Sequence, residues 1–142
     1  MLCFIALHLY ITRQYLKDEI LLVFISLSIG LLLDNTLAFT GQVSYVGDVF
    51  IGRCPIWLAA IWAGFGPTLR YSQRILVKNR TFALLTGFIG GPLAYMGGEK
   101  LERLAVNGWT GWAAVSLSWG IAMYLLYRAR RMSISLERGD SE

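Results

Sequence analysis

Residues 81–98 and 104–127 carry no charged side chain, and residues 20–40 carry a single one, Asp34. A helix rises about 1.5 Å per residue, so runs of about 20 residues match the ~30 Å hydrocarbon core of a bilayer. In lipid the backbone must satisfy its own hydrogen bonds, and for runs of this kind that means helices. A further stretch, residues 55–76, is uncharged as far as Leu69 and then meets Arg70 and Arg74, whose long stems can carry their charge back to an interface. The chain is therefore expected to be an all-α, polytopic transmembrane helix bundle with four full spans. Residues 1–12 are uncharged but too short to cross, and they lack the basic start and cleavage site of a signal peptide. They read as a short N-terminal half-helix, which leaves open whether Met1 is the native start. Residues 1–128 are expected to form one transmembrane domain, and residues 129–142 a basic, disordered cytoplasmic tail.

Composition agrees, with 56% apolar and 15% charged residues, against about 25% charged in a soluble domain. Lys and Arg set the orientation, because cytoplasmic connections collect them. Along an alternating path, Arg13, Lys17, Arg70, Arg74, Lys78, Arg80, Arg128, Arg130, Arg131 and Arg138 fall on one side, and Arg53, Lys100 and Arg103 on the other. The C-terminus is thus expected in the cytoplasm, with the loops at 41–54 and 99–108 facing out. Trp57, Trp109 and Trp112 fall near the outer boundary, where indole rings favour the interface. The net charge of +4 is a topology signal and calls for no nucleic acid.

Chemistry-bearing motifs are scarce. Cys3 and Cys54 form no CxxC or CxxH spacing, and His8 has no acidic or nucleophilic partner at helical spacing. Neither a nucleotide loop nor a Ser-His-Asp grouping occurs, so no catalytic residue, metal site or cofactor is assigned.

The informative residues lie inside the apolar runs. In GGPLAYMGGEK, residues 90–100, the weakest helix formers gather before Glu99 and Lys100. On a helix Ala83, Gly87 and Gly91 share one row and Gly90, Ala94 and Gly98 the next, strips that allow another backbone to approach closely. Pro92 removes the hydrogen bond to the Phe88 carbonyl and is expected to bend the helix, with Thr86 as a possible compensator. Ser26, Gly30, Asp34 and Ala38 make a similar row, so Asp34 faces protein. Counted from Ile20 it lies about 21 Å into the core, where a charge costs about 2 to 3 kcal/mol. An acid at that depth is either a functional group or a neutral or hydrogen-bonded structural one paired with Asn35, Thr36 or a facing Trp. GFGPTLRY at 64–71 also echoes GFIGGPLAY at 87–95, a pairing that chance explains better than a transporter repeat.

Three blocks together, GLLLDNTL, PIWLAAIWAGFGPTLRYS and GGPLAYMGGEKL, resemble the motifs of a family of small bacterial inner-membrane proteins known only as a domain of unknown function. The resemblance spans about residues 4–127 and places Asp34, Trp57, Trp62, Ser72, Gly90, Gly91, Pro92, Tyr95 and Gly98 on motif positions. Pro67, Arg70 and Tyr71 depart from it, standing where the family more often has Thr, Asn and His. It implies multi-pass localisation in the bacterial inner membrane and no particular activity. Two function classes follow. One is a small accessory or packing subunit of an envelope lipid pathway, meeting lipid, another membrane protein or its own copy through the glycine-rich helix. The other is a carrier or enzyme for a lipid or small apolar molecule, with Asp34, Tyr95 and Glu99 around an outward-facing pocket.

Overall fold

The computed structural model describes residues 16–68 and 74–139. The half-helix expected at residues 1–12, His8, and the motif positions Arg70, Tyr71 and Ser72 lie outside them. The fold is mostly helical: α1 (Leu16–Phe39), α2 (Ile56–Thr68), α3 (Arg80–Lys100) and α4 (Gly108–Gly139), with a 3-10 turn at Arg74–Val77 before α3. The side chain of Asn79 starts α3 by accepting from Phe82 N at 2.8 Å, which satisfies one of the free amides of the first turn. α3 packs most extensively on α4, and α1 on α2.

Both long connections at one end of the bundle contain strands, where the sequence led us to expect plain loops. After α1 come β1 (Val43–Tyr45), β2 (Val49–Ile51) and β3 (Cys54–Pro55), and after α3 comes β4 (Leu104–Val106). β1 pairs with β4 in antiparallel register, Val43 opposite Val106 and Tyr45 opposite Leu104, while β2 pairs with β3 around an irregularity. Two-residue and three-residue strands have too short an alternation to be read from sequence. Here the β1–β4 ladder ties the loop leaving α1 to the loop leaving α3. Gly52 turns back with φ 68° against the Asn35 side chain, and Asn35 Oδ1 accepts from Arg53 N at 2.6 Å.

One helix among the described residues, Glu19–Phe39, is long and apolar enough to cross a membrane, with mean hydropathy 2.1. This is fewer than the four spans expected. α2 is apolar over Ile56–Thr68, and residues 74–77 form a 3-10 turn where the sequence led us to expect α-helix to residue 76. α3 and α4 have the length, at 21 and 32 residues, but glycines dilute the one and Trp, Ser and Gly the other. α4 also runs through Arg128, Arg130 and Arg131 to Gly139. Arg131 Nη1 donates back to the Tyr127 hydroxyl at 3.1 Å there.

The small-residue rows sort by their neighbours. A Cβ on Gly30 would enter the Trp62 ring, one on Gly87 the Trp119 carbonyl and one on Gly91 the Trp119 ring. These are close-approach positions between helices. Gly98 would meet Leu104 Cδ2 at 2.7 Å, whereas Gly90 has nothing within 4 Å. The row through Gly90 therefore makes no helix contact at that residue, and the row through Gly91 does.

Candidate functional site

Asp34 is fully buried near the C-terminal end of α1. Its two oxygens accept from three donors carried by three other elements. Trp62 Nε1 of α2 donates to Oδ2 at 2.7 Å. The Tyr45 hydroxyl of β1 donates to Oδ1 at 3.0 Å, and the Tyr95 hydroxyl of α3 donates to the same oxygen. The two hydroxyls are themselves 2.9 Å apart. α4 closes the cluster with Trp119, stacked on Trp62 at 4.8 Å between centroids and edge-on to Tyr95 at 6.3 Å. All four helices thus meet around one carboxyl.

Local sequence explains the convergence. Gly30, one turn before Asp34, leaves the gap that the Trp62 ring fills, and this brings the indole N–H level with the carboxyl. Ser26, a further turn back, donates to the Trp62 carbonyl at 2.8 Å, so one face of α1 fixes both ends of the same tryptophan. Gly91 does for Trp119 what Gly30 does for Trp62. Tyr45 arrives by another route, because the β1–β4 ladder holds its strand over the ends of α1 and α3.

Burial, then the charges of Tyr95 and Asp34, push the Tyr45 phenol up from its ordinary value, so it stays a donor. Cys54, at the start of the chain into α2, is pushed up from 9.0 to about 12 by burial and then by the charge of Asp34. It is a protonated, buried thiol. Among the described residues no three His, Cys, Asp or Glu side chains converge as a metal ion would require.

The structure brings together Asp34 and Tyr95 of the three polar candidates. Glu99 serves the backbone instead, its Oε1 accepting from Val106 N at 2.7 Å, and so it anchors β4. Of the packing candidates, Gly30, Gly87 and Gly91 are close-approach positions, Pro92 lies inside α3, Gly98 abuts Leu104, and Gly90 is open. Tyr45 and Trp119 were missed altogether. Trp62 stood on a motif position without being named as a partner of Asp34, although Gly30 four residues before Asp34 was a usable sign of a bulky neighbour. A small polar cavity of about 270 Å3 lies beside the cluster, lined by Ala38, Val43, Ser44, Tyr45, Val49 and Arg53. It touches Tyr45 and is not lined by Asp34. Arg53 at its rim donates to the Ala38 carbonyl at 3.2 Å and lies 4.9 Å over the Phe39 ring.

The four helices form a bundle gathered on one buried acid within an otherwise apolar interior, with large apolar side chains also exposed. Residues 1–125 match the family described as Protein of unknown function (DUF2878), and the chain belongs to that family. No curated protein and no solved structure matches it.

Proposed function

We propose that this chain is an integral membrane protein of the bacterial inner membrane, crossing it four times with the C-terminus in the cytoplasm. In this reading it acts as a small accessory or packing subunit in envelope or lipid metabolism, with lipid and a neighbouring membrane protein or second copy as its partners. The observation that carries the membrane part is the distribution along α1. Glu19, Ser26 and Asp34 are each 0% exposed, while Phe24 and Leu32 on the same helix are 66% and 71% exposed. α3 and α4 repeat the pattern with Ile89, Leu93 and Leu117 outward at 58%, 60% and 60%. A soluble monomer does not expose apolar surface on this scale, whereas a membrane protein turns its polar residues toward its own interior.

The accessory reading rests on how completely Asp34 is occupied. Three donors fill its two oxygens, and the cluster is packed with rings. Such an acid ties helices together, since in lipid interhelical hydrogen bonds and close glycine contacts replace the hydrophobic drive. The second reading, a carrier or enzyme for a lipid or small apolar molecule, draws on the polar cavity against Tyr45. There Asp34 and Tyr95 would act through the Tyr45 hydroxyl, and Glu99 would hold the β4 side of the outer end. The test is Asp34→Asn, measured for folding in detergent and for complementation of a deletion strain. Normal folding with full complementation supports the accessory role. Normal folding with lost complementation supports the carrier or enzyme.

A further inference from the structure

The small polar cavity at the strand-bearing end has one cationic side chain in its lining, Arg53, and that side chain is set in place from its backbone and its tip. Gly52, at φ 68°, turns the chain so that Arg53 N meets Asn35 Oδ1 at 2.6 Å. The guanidinium then lies 4.9 Å over the Phe39 ring, and Nη1 donates to the Ala38 carbonyl at 3.2 Å. A guanidinium carries five N–H donors in a planar fork, so this single bond leaves most of the fork for an acceptor. Holding the group in advance lowers the ordering cost of binding.

The rest of the lining calls for the same kind of ligand. Ser44 is exposed on β1 and brings a hydroxyl that can donate. The Tyr45 hydroxyl gives its proton to Asp34, and Asp34 itself does not line the cavity. No Asp or Glu is among the lining residues, and Ala38, Val43 and Val49 complete the wall with apolar surface. Donors and one positive charge therefore face a space without a fixed anion. The volume of about 270 Å3 falls below the ~300–1,000 Å3 of a pocket for a drug-sized ligand, which suits one charged group on a short apolar stem. The planar fork of Arg matches the paired oxygens of a carboxylate or phosphate. From this we infer that the cavity binds a single oxyanion group, a phosphate or a carboxylate, held by Arg53 and Ser44. The inference names a ligand class for the carrier or enzyme reading and rests on that reading for its role in the cell, while the binding itself is measured without it.

The test titrates the full chain, purified in uncharged detergent at constant ionic strength, by calorimetry. The probes are inorganic phosphate, acetate and dihexanoyl phosphatidylglycerol, a short-chain lipid whose headgroup carries the phosphate. Binding of phosphate or acetate identifies a free anion as the source of the group, and binding of the lipid alone identifies a headgroup. Arg53→Gln removes the fork and should weaken whichever probe binds by about tenfold or more, and Ser44→Ala by about threefold. Val49→Trp, filling the cavity from an exposed position, should abolish binding, and it carries the same test should Arg53→Gln fail to fold. Lys100→Gln, which removes an exposed cation outside the lining, should bind as the parent does. Binding of no probe by the parent, or parental affinity in both Arg53→Gln and Val49→Trp, overturns the site. Lost binding in Arg53→Gln with full complementation of a deletion strain upholds the site and removes the carrier or enzyme reading, so the two failures are distinguishable.

Discussion

Asp34 has four lone-pair positions and three donors, and its substitutions follow from that count. Asp34→Asn can turn its remaining oxygen to Trp62 Nε1 and its amide N–H groups to the tyrosine oxygens, so each partner stays paired. It should melt within about 1 kcal/mol of the parent. Asp34→Leu strands the Trp62 N–H, at about 1–3 kcal/mol for a buried group left unmade, and leaves the two hydroxyls, 2.9 Å apart, only each other to pair with, so it should lower the detergent melting temperature. Equal melting of the Leu variant and the parent would mean that the cluster does not hold the helices. Cys54 gives a second test at this scale. Its thiol is held up at about 12, so it is protonated at pH 8, and the thiolate is the reactive form. Maleimide should label it slowly in the folded protein and promptly after unfolding. The sign of the linkage is fixed by the same shift. The unfolded thiol ionises first, so any stability Cys54 contributes is present below pH 9 and declines as pH rises toward 12. Prompt labelling at pH 8 without denaturant would contradict the burial.

The glycines of α3 separate contact from exposure at the scale of the element. Gly91→Ala drives a methyl into the Trp119 ring, and overpacking of this kind costs about 1–3 kcal/mol. Gly98→Ala meets only the end of the Leu104 side chain and should cost less, while Gly90→Ala meets nothing within 4 Å and should be neutral. Detergent melting of the three variants should follow that order, and a destabilised Gly90→Ala with a neutral Gly91→Ala would reverse the assignment of faces. Much of this was legible in the sequence, because small residues four apart share a face and Asp34 on such a row had to point at protein. What was not legible is how the strand-bearing end is built. Tyr45 reaches Asp34 only because β1 pairs with β4 across sixty residues of chain, and a strand of three residues leaves no periodic trace. The Glu99 contact was hidden for the same reason, since its partner is the amide of a strand that could not be foreseen.

Among the described residues, Glu19, Ser26 and Asp34 lie buried within a largely apolar interior while many large apolar side chains are also exposed, with strands at one end and the 3-10 turn between α2 and α3 at the other. The sequence foretold the helices because its long uncharged runs exceed the length of a strand. It overstated α2, since residues 74–77 form a 3-10 turn and not the end of an α-helix, and composition does not reveal where a proline-containing helix ends. We propose that this bundle sits in a membrane with its strand-bearing end outside, since ten of the thirteen Lys and Arg residues lie on the opposite side of the alternating path. A reporter active only in the cytoplasm, fused after Gly47 in the β1–β2 connection and separately after Glu142, measures this directly. Signal from the Glu142 fusion and none from the Gly47 fusion is the expected result, and signal from the Gly47 fusion would contradict it.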